Sequence, residues 1–426
     1  MKILIALIIF SAIILFHELG HFLLAKKNGI VVTEFSLGMG PRLLSKSWGG
    51  TRYSLKLLPF GGSCAMLGED LDDTQPGSFS GAPVWGRISV VAAGPIFNFI
   101  LAFLLAVIIV AMSGSSLAVV QSVQSGTPAA EAGFMEGDRI TRYDGYHVDL
   151  WEDFLLYWYL NPMTGEPVNI TVDRNGEKVE LLYTPQTTST YLLGMYRDAG
   201  SMTITGLMEG MPLADAGLKV GDTIVGINGV RFDSSDEYDA YIAENPLSDE
   251  PVTLIYVRDG LEYETTVTPK EHQSVDSSLP IASTQVRPGF LGTLKYSLLE
   301  VKSQIRTVFL SLKELVTGHL GMKDLSGPVG VVTAIGDTYE ESKSEGAKAV
   351  FLNLLYIAVL LSANLGVMNL LPIPALDGGR LIFLLIEAIR RKPGNRELEG
   401  AIHFAGMMLL MLLMVVIMYN DVLKLF

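Results

Sequence analysis

The sequence predicts a mixed α/β membrane protein, in which four transmembrane helices carry a long β-rich insertion. The 426 residues are 49% hydrophobic and 18% charged, with a mean hydropathy of +0.37, which is too apolar for an ordinary soluble chain. The apolar residues are concentrated at 3–25, 88–112, 349–371 and 401–419. Each of these runs is long enough to cross a hydrocarbon core of about 30 Å. The stretch between the second and third runs has the composition of a soluble protein.

The charge distribution predicts the orientation in the membrane. Residues 113–349 contain 17 Lys+Arg and 34 Asp+Glu, whereas the short stretches 26–87 and 378–402 are mildly basic. Basic loops favour the cytoplasm, so we expect the acidic region and both termini on the other side. The first apolar run is too long for a secretory signal peptide, which favours a retained helix. The single cysteine, Cys64, cannot form an intramolecular disulfide.

The long insertion contains an internal repeat. GTPAAEAGFMEGDRI at 126–140 matches GMPLADAGLKVGDTI at 210–224, and the register holds without a gap to a second Thr-Pro pair. Each copy predicts a small β-rich domain, because VNITVDRNGEKVELLYT and VTLIYVRDGLEYETTVT are typical of hairpins with Asn-Gly and Asp-Gly turns. We predict a first domain at 115–187, a second at 200–270 and a polar linker at 271–288.

A further helical segment is predicted at 289–348. Apolar residues recur there at spacings of three and four, which is typical of an amphipathic helix. We expect this helix to dock on the repeat pair or on the membrane surface, in preference to a direct functional role. The apolar positions are Leu298, Val301, Ile305, Val308, Leu312 and Leu315.

The first apolar run carries a metal-site pattern, His17-Glu18-Leu19-Gly20-His21. Helical spacing puts both imidazoles on one face, where they can share a Zn²⁺ ion. Glu18 can accept a proton from the attacking water and return it to the leaving amine. Ionisable groups inside a span are costly to insert and usually functional. The alternative, a polar contact between helices, needs one polar group and not three in ligand spacing.

A catalytic zinc usually takes three protein ligands and a water. The best third candidate is Asp377 in NLLPIPALDGG at 369–379, where Pro372 and Pro374 break the helix and free backbone groups. The first and third spans enter from the same side, so His17, roughly 21 Å deep, and Asp377 can meet at one depth. The other histidines offer little as ligands: His147, His272, His319 and His403.

Together these motifs resemble the site-2 protease family of intramembrane zinc metalloproteases. The resemblance rests on HELGH, on AAGPIFNF at 92–99, on NLLPIPALDGG and on the insertion between the second and third spans. The G-x-P-A-x-x-A-G and G-D-x-I patterns of the repeats resemble PDZ domains of bacterial proteases. The tandem pair, with SGPVG at 326–330, is similar to the regulator of sigma-E protease group, and the resemblance covers essentially the whole chain.

The resemblance implies a four-helix transmembrane metalloprotease core with two inserted PDZ domains, in a bacterial plasma membrane. It implies zinc held by His17, His21 and Asp377, Glu18 as the base, and Asn369 in contact with the substrate backbone. The implied reaction is cleavage within the membrane of single-span proteins already shortened by another protease, such as anti-sigma factors or signal-peptide remnants. The active site would face the cytoplasm, the PDZ pair would act as a size filter, and no nucleic acid is expected as a partner.

Several alternatives stay open. Residues 31–67 contain short β-like runs and predict either a membrane-associated β-hairpin, which pairs with an unwound substrate by strand addition, or an ordinary cytoplasmic loop. Asn98 could brace the metal site or bond a neighbouring helix, and the second is favoured. The rival function is a membrane-anchored PDZ scaffold without proteolytic activity. A different zincin with ligands on a later E-x-x-x-E helix is disfavoured, because no such helix follows at a suitable depth.

Overall fold

The computed structural model describes residues 2–69, 75–276, 279–321, 325–392 and 394–424. Residues 277–278 of the predicted linker therefore lie outside the described residues. The chain divides into two compact units. The first comprises Met1–Ala118, His147–Leu156 and Ala282–Phe426, and the second comprises Val119–Tyr146 and Tyr157–Ile281.

The first unit begins with two long helices and the hairpin between them: α1 (Lys2–Lys27), β1 (Val32–Trp48), β2 (Thr51–Met66) and α2 (Val84–Ser113). Both helices are runs of Leu, Ile, Val, Ala and Phe, which form stable helices when their apolar faces are covered. They approach closely, because a Cβ atom added to Gly20 would collide with the carbonyl oxygen of Ala93. The metal-site pattern of α1 therefore lies directly against α2.

The hairpin after α1 is β structure and not an irregular loop. Glu34–Leu37 pairs both with Gly62–Ala65 and with Arg52–Leu55, so the two bent strands form four adjacent segments. The Glu34 carboxylate of this hairpin is paired, because it accepts hydrogen bonds from Arg42 at 2.6 and 3.1 Å and from Ser54 at 2.6 Å. The alternative of a β-hairpin at 31–67 is thus the correct one for the secondary structure.

The inserted region contains two copies of the same six elements, and each element of the second copy lies at one constant offset from its counterpart. The first copy follows β3 (Ser115–Val120) and consists of α3 (Pro128–Glu131), β4 (Arg139–Tyr143), β5 (Tyr146–His147), α4 (Trp151–Leu160), β6 (Val168–Arg174) and β7 (Glu177–Tyr183). Between the copies lie β8 (Gln186–Leu192), β9 (Met195–Arg197) and β10 (Ile204–Leu207). The second copy consists of α5 (Pro212–Asp215), β11 (Thr223–Ile227), β12 (Val230–Arg231), α6 (Ser235–Glu244), β13 (Val252–Arg258) and β14 (Leu261–Val267).

Both copies repeat one ion pair, in which the aspartate is buried and the arginine is partly exposed. In the second copy, Arg258 donates to the Asp222 carboxylate at 2.7 and 2.6 Å and to the Gly217 carbonyl at 3.0 Å. Arg174 and Asp138 make the same bonds in the first copy. The Arg258 guanidinium lowers the pKa of Asp222 below its usual value. The pair fixes the start of β11 against the end of β13 in the second copy, as its equivalent does in the first.

The polar linker predicted at 271–288 is wrong, because two strands occupy most of it: β15 (Lys270–Asp276) and β16 (Ile281–Val286). β15 pairs with β8, and β16 pairs with β3, the strand that precedes the first copy. The domain that contains the second copy also includes β9 and β10 and begins before the predicted boundary at 200. β9 pairs with β10, and Leu193 and Ile204 are buried in one core cluster with Ile224 of β11. β15 and β8 form an exposed ladder of mostly polar side chains, which shows no apolar alternation in the sequence.

The remaining helices of the first unit are α7 (Phe290–Thr317), α8 (Pro328–Ser342), α9 (Ala347–Leu370), α10 (Asp377–Arg390) and α11 (Arg396–Leu423). The predicted docking of the amphipathic helix on the repeat pair is confirmed for the first copy, because Lys302 and Ser303 of α7 donate hydrogen bonds to Asp149 and Asp153 at 2.6 and 2.8 Å. The helix also packs on the long helices, since Val301 is buried in a cluster with Ala106 of α2 and Val359 of α9. The side of α7 with small and apolar residues thus covers two of the long helices.

Four helices are long and apolar enough to cross a membrane among the described residues: Lys2–Lys27, Val84–Ser113, Ala347–Leu370 and Glu397–Leu423. They match the four predicted runs. The predicted third span at 349–380 is not one continuous helix, because α9 ends at Leu370 and α10 begins at Asp377. Pro372 and Pro374 lie in the break, where their missing N–H groups make a helix unfavourable, as expected.

Candidate metal centre

Three side chains of the first unit converge at the break between α9 and α10. His17 and His21 project from α1, and their Nε2 atoms lie 3.2 Å apart. The Oδ2 atom of Asp377, at the first position of α10, lies 3.2 Å from His17 Nε2 and 3.5 Å from His21 Nε2. Both imidazoles are buried, with 8% of each residue exposed.

The spacing of these three atoms fits a tetrahedral zinc ion. Bonds of 2.0–2.2 Å to nitrogen and oxygen separate neighbouring ligand atoms by about 3.4 Å, and the observed separations are 3.2, 3.2 and 3.5 Å. The Oδ2 atom of Asp377 is buried and has no hydrogen-bond donor within the part of the chain that the structure describes. A buried carboxylate oxygen facing two ring nitrogens is best satisfied by a cation.

A backbone carbonyl of α2 orients His21. The Nδ1 atom of His21 donates a hydrogen bond to the carbonyl oxygen of Val90 at 2.8 Å. With its proton on Nδ1, His21 directs the lone pair of Nε2 toward Asp377, as a metal ligand requires.

The side chain of Asn98 lies beside His17 as the carbonyl of Val90 lies beside His21. Asn98 is fully buried, and its Nδ2 atom lies 3.1 Å from His17 Nδ1, while its Oδ1 atom has no partner among the described residues. A rotation of the Asn98 side-chain amide by half a turn would place its Oδ1 atom next to Nδ1–H of His17. With its proton on Nδ1, His17 would have the lone pair of Nε2 free for a metal. Asn98 thus contacts a side chain of the neighbouring helix α1, as the favoured interpretation expects. Because that side chain is His17, the contact also supports the alternative, in which Asn98 braces the metal site.

Gly94 explains why α2 can approach the two histidines. A Cβ atom at this position would overlap His21 Nε2 and would lie 2.7 Å from His17 Cε1. Gly94 and Asn98 are four residues apart in AAGPIFNF, so they share one face of α2. A small residue followed four positions later by a polar one, inside an apolar span, is the signal that could have identified this face.

Replacing Asn98 by Ala should raise the dissociation constant for zinc by about 10- to 100-fold, the usual effect of losing a partner of a metal-bound histidine. The measurement is zinc competition against a chromophoric chelator in detergent. Ser362→Ala is the matched control, because Ser362 is equally buried and donates only to the backbone oxygen of Asn98. Zinc binding by Asn98→Ala that equals that of Ser362→Ala would exclude the role in orienting His17.

The predicted base lies on α1 with both histidines, and the predicted substrate contact lies on α9, just before the break that leads to Asp377. Glu18 is half-buried on α1, and its Cγ atom would be 2.9 Å from a Cβ atom added to Gly62 of β2. Asn369, near the end of α9, is also half-buried, and its amide makes no hydrogen bond with the described residues. His403 is not in the cluster of ligands; its Nδ1 atom accepts a hydrogen bond from the Ala375 N–H at 2.9 Å.

A cavity of about 670 Å³ reaches Asp377. Arg87 of α2 lines this cavity, and its guanidinium donates hydrogen bonds to both carboxylate oxygens of Glu387, at 3.0 and 2.5 Å. Charged groups at this depth of a membrane protein pair with one another or face water. The charged residues that line the cavity are Glu69, Arg87, Asp377, Arg380, Glu387 and Glu399.

Comparison with known proteins gives consistent matches over the whole chain. The model of Peptidase family M50 matches residues 5–413. The chain is 32% identical over 454 residues to the zinc metalloprotease RasP of Geobacillus kaustophilus, covering 99% of this chain and 97% of the relative. It is 31% identical over 450 residues to the regulator of sigma-W protease RasP of Bacillus subtilis, covering 99% and 98%.

Proposed function

From the premise that the chain belongs to Peptidase family M50 and is a zinc metalloprotease of the membrane, we propose that it cleaves single-span proteins within the bilayer at His17, Glu18, His21 and Asp377. The observation that carries the proposal is the convergence of two imidazole nitrogens and one carboxylate oxygen between long apolar helices. Zinc held there supplies Lewis acidity that polarises the scissile carbonyl and acidifies the attacking water.

Glu18 moves the proton in the proposed reaction. It follows the first ligand on α1 and lies outside the group of three ligands, so its carboxylate is free to act as a base. It takes a proton from the attacking water and returns it to the nitrogen of the leaving peptide. Asn369 would hold the substrate backbone through its amide, which no described residue occupies. The charged cavity beside Asp377 supports access of water to a site at membrane depth.

We assign the hairpin the role of straightening the substrate. A helical substrate buries its peptide bonds in its own hydrogen bonds, so it must unwind before hydrolysis. The segment Gly62–Ala65 pairs with Glu34–Leu37 and lies beside Glu18, which supports the addition of an extended substrate segment next to the base. Leu44 and Trp48 near the turn are 69% and 75% exposed, as expected for a hairpin in contact with lipid.

Gly62→Ala should reduce kcat by about 100-fold, because displacing a catalytic group by about 1 Å has effects of this size. The added Cβ atom would lie 2.9 Å from Glu18 Cγ and 3.0 Å from Ile14 Cγ2, so the base must move. Zinc affinity should stay unchanged, since neither contact involves a ligand. Steady-state cleavage and zinc titration check both parts, with Gly289→Ala as the control, because a Cβ atom there meets nothing within 4 Å. Wild-type kcat would contradict the placement of Glu18.

The role of the repeat copies, the orientation in the membrane and the substrate class are also proposals. We assign the two repeat copies to PDZ domains that gate the entry of substrates with large exported regions. The acidic charge of 113–349 supports their position outside the cytoplasm, with the metal site toward the cytoplasmic side. The relative in Bacillus subtilis is named a regulator of sigma-W protease, which supports anti-sigma factors already shortened by another protease as a substrate class. Signal-peptide remnants are the second class.

Membership of a protease family disfavours the rival function of a PDZ scaffold without proteolytic activity.

A decisive test uses the full chain in lipid vesicles with a single-span reporter that has a short exported flank. Removal of zinc by a chelator should abolish cleavage, and added zinc should restore it. Cleavage that persists at the original rate after complete removal of the metal would reject the proposal.

A further inference from the structure

The segment that leads to Asp377 is held in a strained conformation. Ala375 has a φ of +78°, in the left-handed region, which is unfavourable for a residue with a side chain. The segment between α9 and α10 also turns sharply at its start, where the Ile373 N–H bonds the Leu371 carbonyl at 2.7 Å. A strained segment persists only where its surroundings over-determine it. The contacts that hold it therefore determine where Asp377 lies.

Helix α10 holds one side of this segment. A Cβ atom added to Gly378 would overlap the Leu371 carbonyl oxygen, and one added to Gly379 would lie 2.5 Å from the Ile373 carbonyl oxygen. The chain thus folds back onto the first turn of α10, where only glycine leaves enough space. These contacts join residues that are close in sequence, so they do not by themselves fix the position of the segment relative to the other long helices.

The fourth long helix holds the other side. His403 of α11 accepts a hydrogen bond at Nδ1 from the N–H of Ala375, the strained residue, at 2.9 Å. One turn further along, a Cβ atom added to Gly406 would lie 2.5 Å from Pro374 Cβ and 2.7 Å from the Pro374 carbonyl oxygen. In the part of the span at Glu397–Leu423 with the highest hydropathy, the structure buries no residue. Near its other end the helix is also held, because the buried Asp421 accepts hydrogen bonds from the N–H groups of Gly327 and Gly330 at 3.1 and 2.8 Å. The contacts at His403 and Gly406 are those that α11 makes with the segment before Asp377.

We propose that α11 fixes the position of the Asp377 carboxylate through His403 and Gly406, which makes both of them positioning residues of the metal site. The proposal rests on the proposed function, in which Asp377 is a zinc ligand. His403 satisfies the N–H of Ala375 and so stabilises the left-handed turn two residues before the ligand. Gly406 allows α11 to approach Pro374 closely enough for that bond. The fourth span acts on the metal site without contacting the metal.

The experiment measures zinc affinity of the full chain in detergent by chelator competition. His403→Ala removes the acceptor and should raise the zinc dissociation constant by about 10- to 100-fold, as for other partners of metal ligands. His403→Asn places an oxygen near the position of Nδ1 and should restore affinity to within about threefold of wild type. Rescue by Asn separates the hydrogen bond from a general loss of packing.

A matched pair of glycines tests the close approach independently. Gly406→Ala forces α11 away from Pro374 and should weaken zinc binding by a factor similar to that of His403→Ala. Gly400→Ala lies on the same helix, gains the same helix propensity and meets nothing within 4 Å, so its zinc affinity should equal that of wild type. Equal zinc affinity in Gly406→Ala and Gly400→Ala, or in His403→Ala and wild type, would overturn the inference.

Asp377→Ala completes the set and separates this inference from the proposed function. If Asp377→Ala binds zinc like wild type, the ligand assignment itself is wrong. If Asp377→Ala loses zinc while His403→Ala and Gly406→Ala retain wild-type affinity, only the role of α11 is wrong. Thermal unfolding of each variant shows whether a loss of zinc binding follows from a loss of folding, and His403→Asn remains informative if His403→Ala fails to fold.

Discussion

Glu18→Gln should lower the rate of peptide-bond cleavage by about 10²- to 10⁴-fold, the usual contribution of a positioned general base. Gln has nearly the same shape as Glu but cannot accept a proton from the attacking water at neutral pH. The zinc content should be unchanged, because Glu18 is not one of the three side chains that converge at the proposed metal site. Single-turnover cleavage of a single-span reporter, together with metal analysis of the same sample, measures both quantities.

The matched control for this substitution is Glu341→Gln, at an exposed position of α8. It makes the same chemical change away from the site and should cleave at the wild-type rate. A Glu18→Gln protein that cleaves as fast as Glu341→Gln would remove Glu18 from the reaction, and a Glu18→Gln protein without zinc would point to a ligand role instead.

Asp377→Ala should lose zinc affinity by more than about 100-fold, which exceeds the effect expected from a partner of a ligand. Two neutral imidazoles would remain, without the carboxylate that completes the set of three protein ligands. Proteolytic activity should fall in proportion to the loss of bound zinc, and it should return only partly when the zinc concentration is raised. Metal analysis after dialysis against a weak chelator is the direct measurement.

Asp337→Ala is the control for the removal of a carboxylate. Asp337 lies on α8, its side chain is 54% exposed, and it pairs with Lys2 at 3.0 Å. Zinc affinity in that variant should equal the wild-type value. Retention of zinc by Asp377→Ala after the same dialysis would reassign the third ligand.

The long helices and the meeting of His17 with Asp377 could be predicted, because both follow from the expected insertion of the apolar runs into a membrane. The length of a bilayer-spanning run is set by the thickness of the hydrocarbon core, so the boundaries of α1, α2 and α9 follow from the apolar residues. The break at Pro372 and Pro374 follows from the missing N–H groups. Once the first and third spans were oriented alike, His17 and Asp377 were expected at one depth, and their 3.2 Å contact fits that expectation.

The surroundings of the site could not be predicted, because they depend on the rotation of one helix against another. Asn98 could face His17 or any other neighbour until the close approach of Gly20 and Ala93 fixes how α1 lies on α2. The same holds for His403, which was set aside as a ligand candidate, since its bond to Ala375 depends on where α11 docks. The contact of His403 leaves no periodic signal in the sequence, and the contact of Asn98 leaves only its four-residue spacing from Gly94.

The strand β16 was missed for a different reason. It pairs with β3, which lies far back in the sequence before the first repeat copy, and such non-local pairing is invisible to local patterns. Its sequence IASTQV has the polar composition that also marks linkers. The repeat itself was readily found, because every element of one copy lies at a constant offset from its counterpart.

The position of the cut in a substrate tests the central claim most directly. The zinc-loaded protein, reconstituted in lipid vesicles with a single-span reporter, would be analysed by mass spectrometry of both products. A metal site at His17, His21 and Asp377, between apolar helices, predicts one cut inside the apolar segment of the reporter, with no cut after the Glu18→Gln substitution. A cut in the soluble flank, or the same cut in Glu18→Gln, would contradict proteolysis within the membrane at this site.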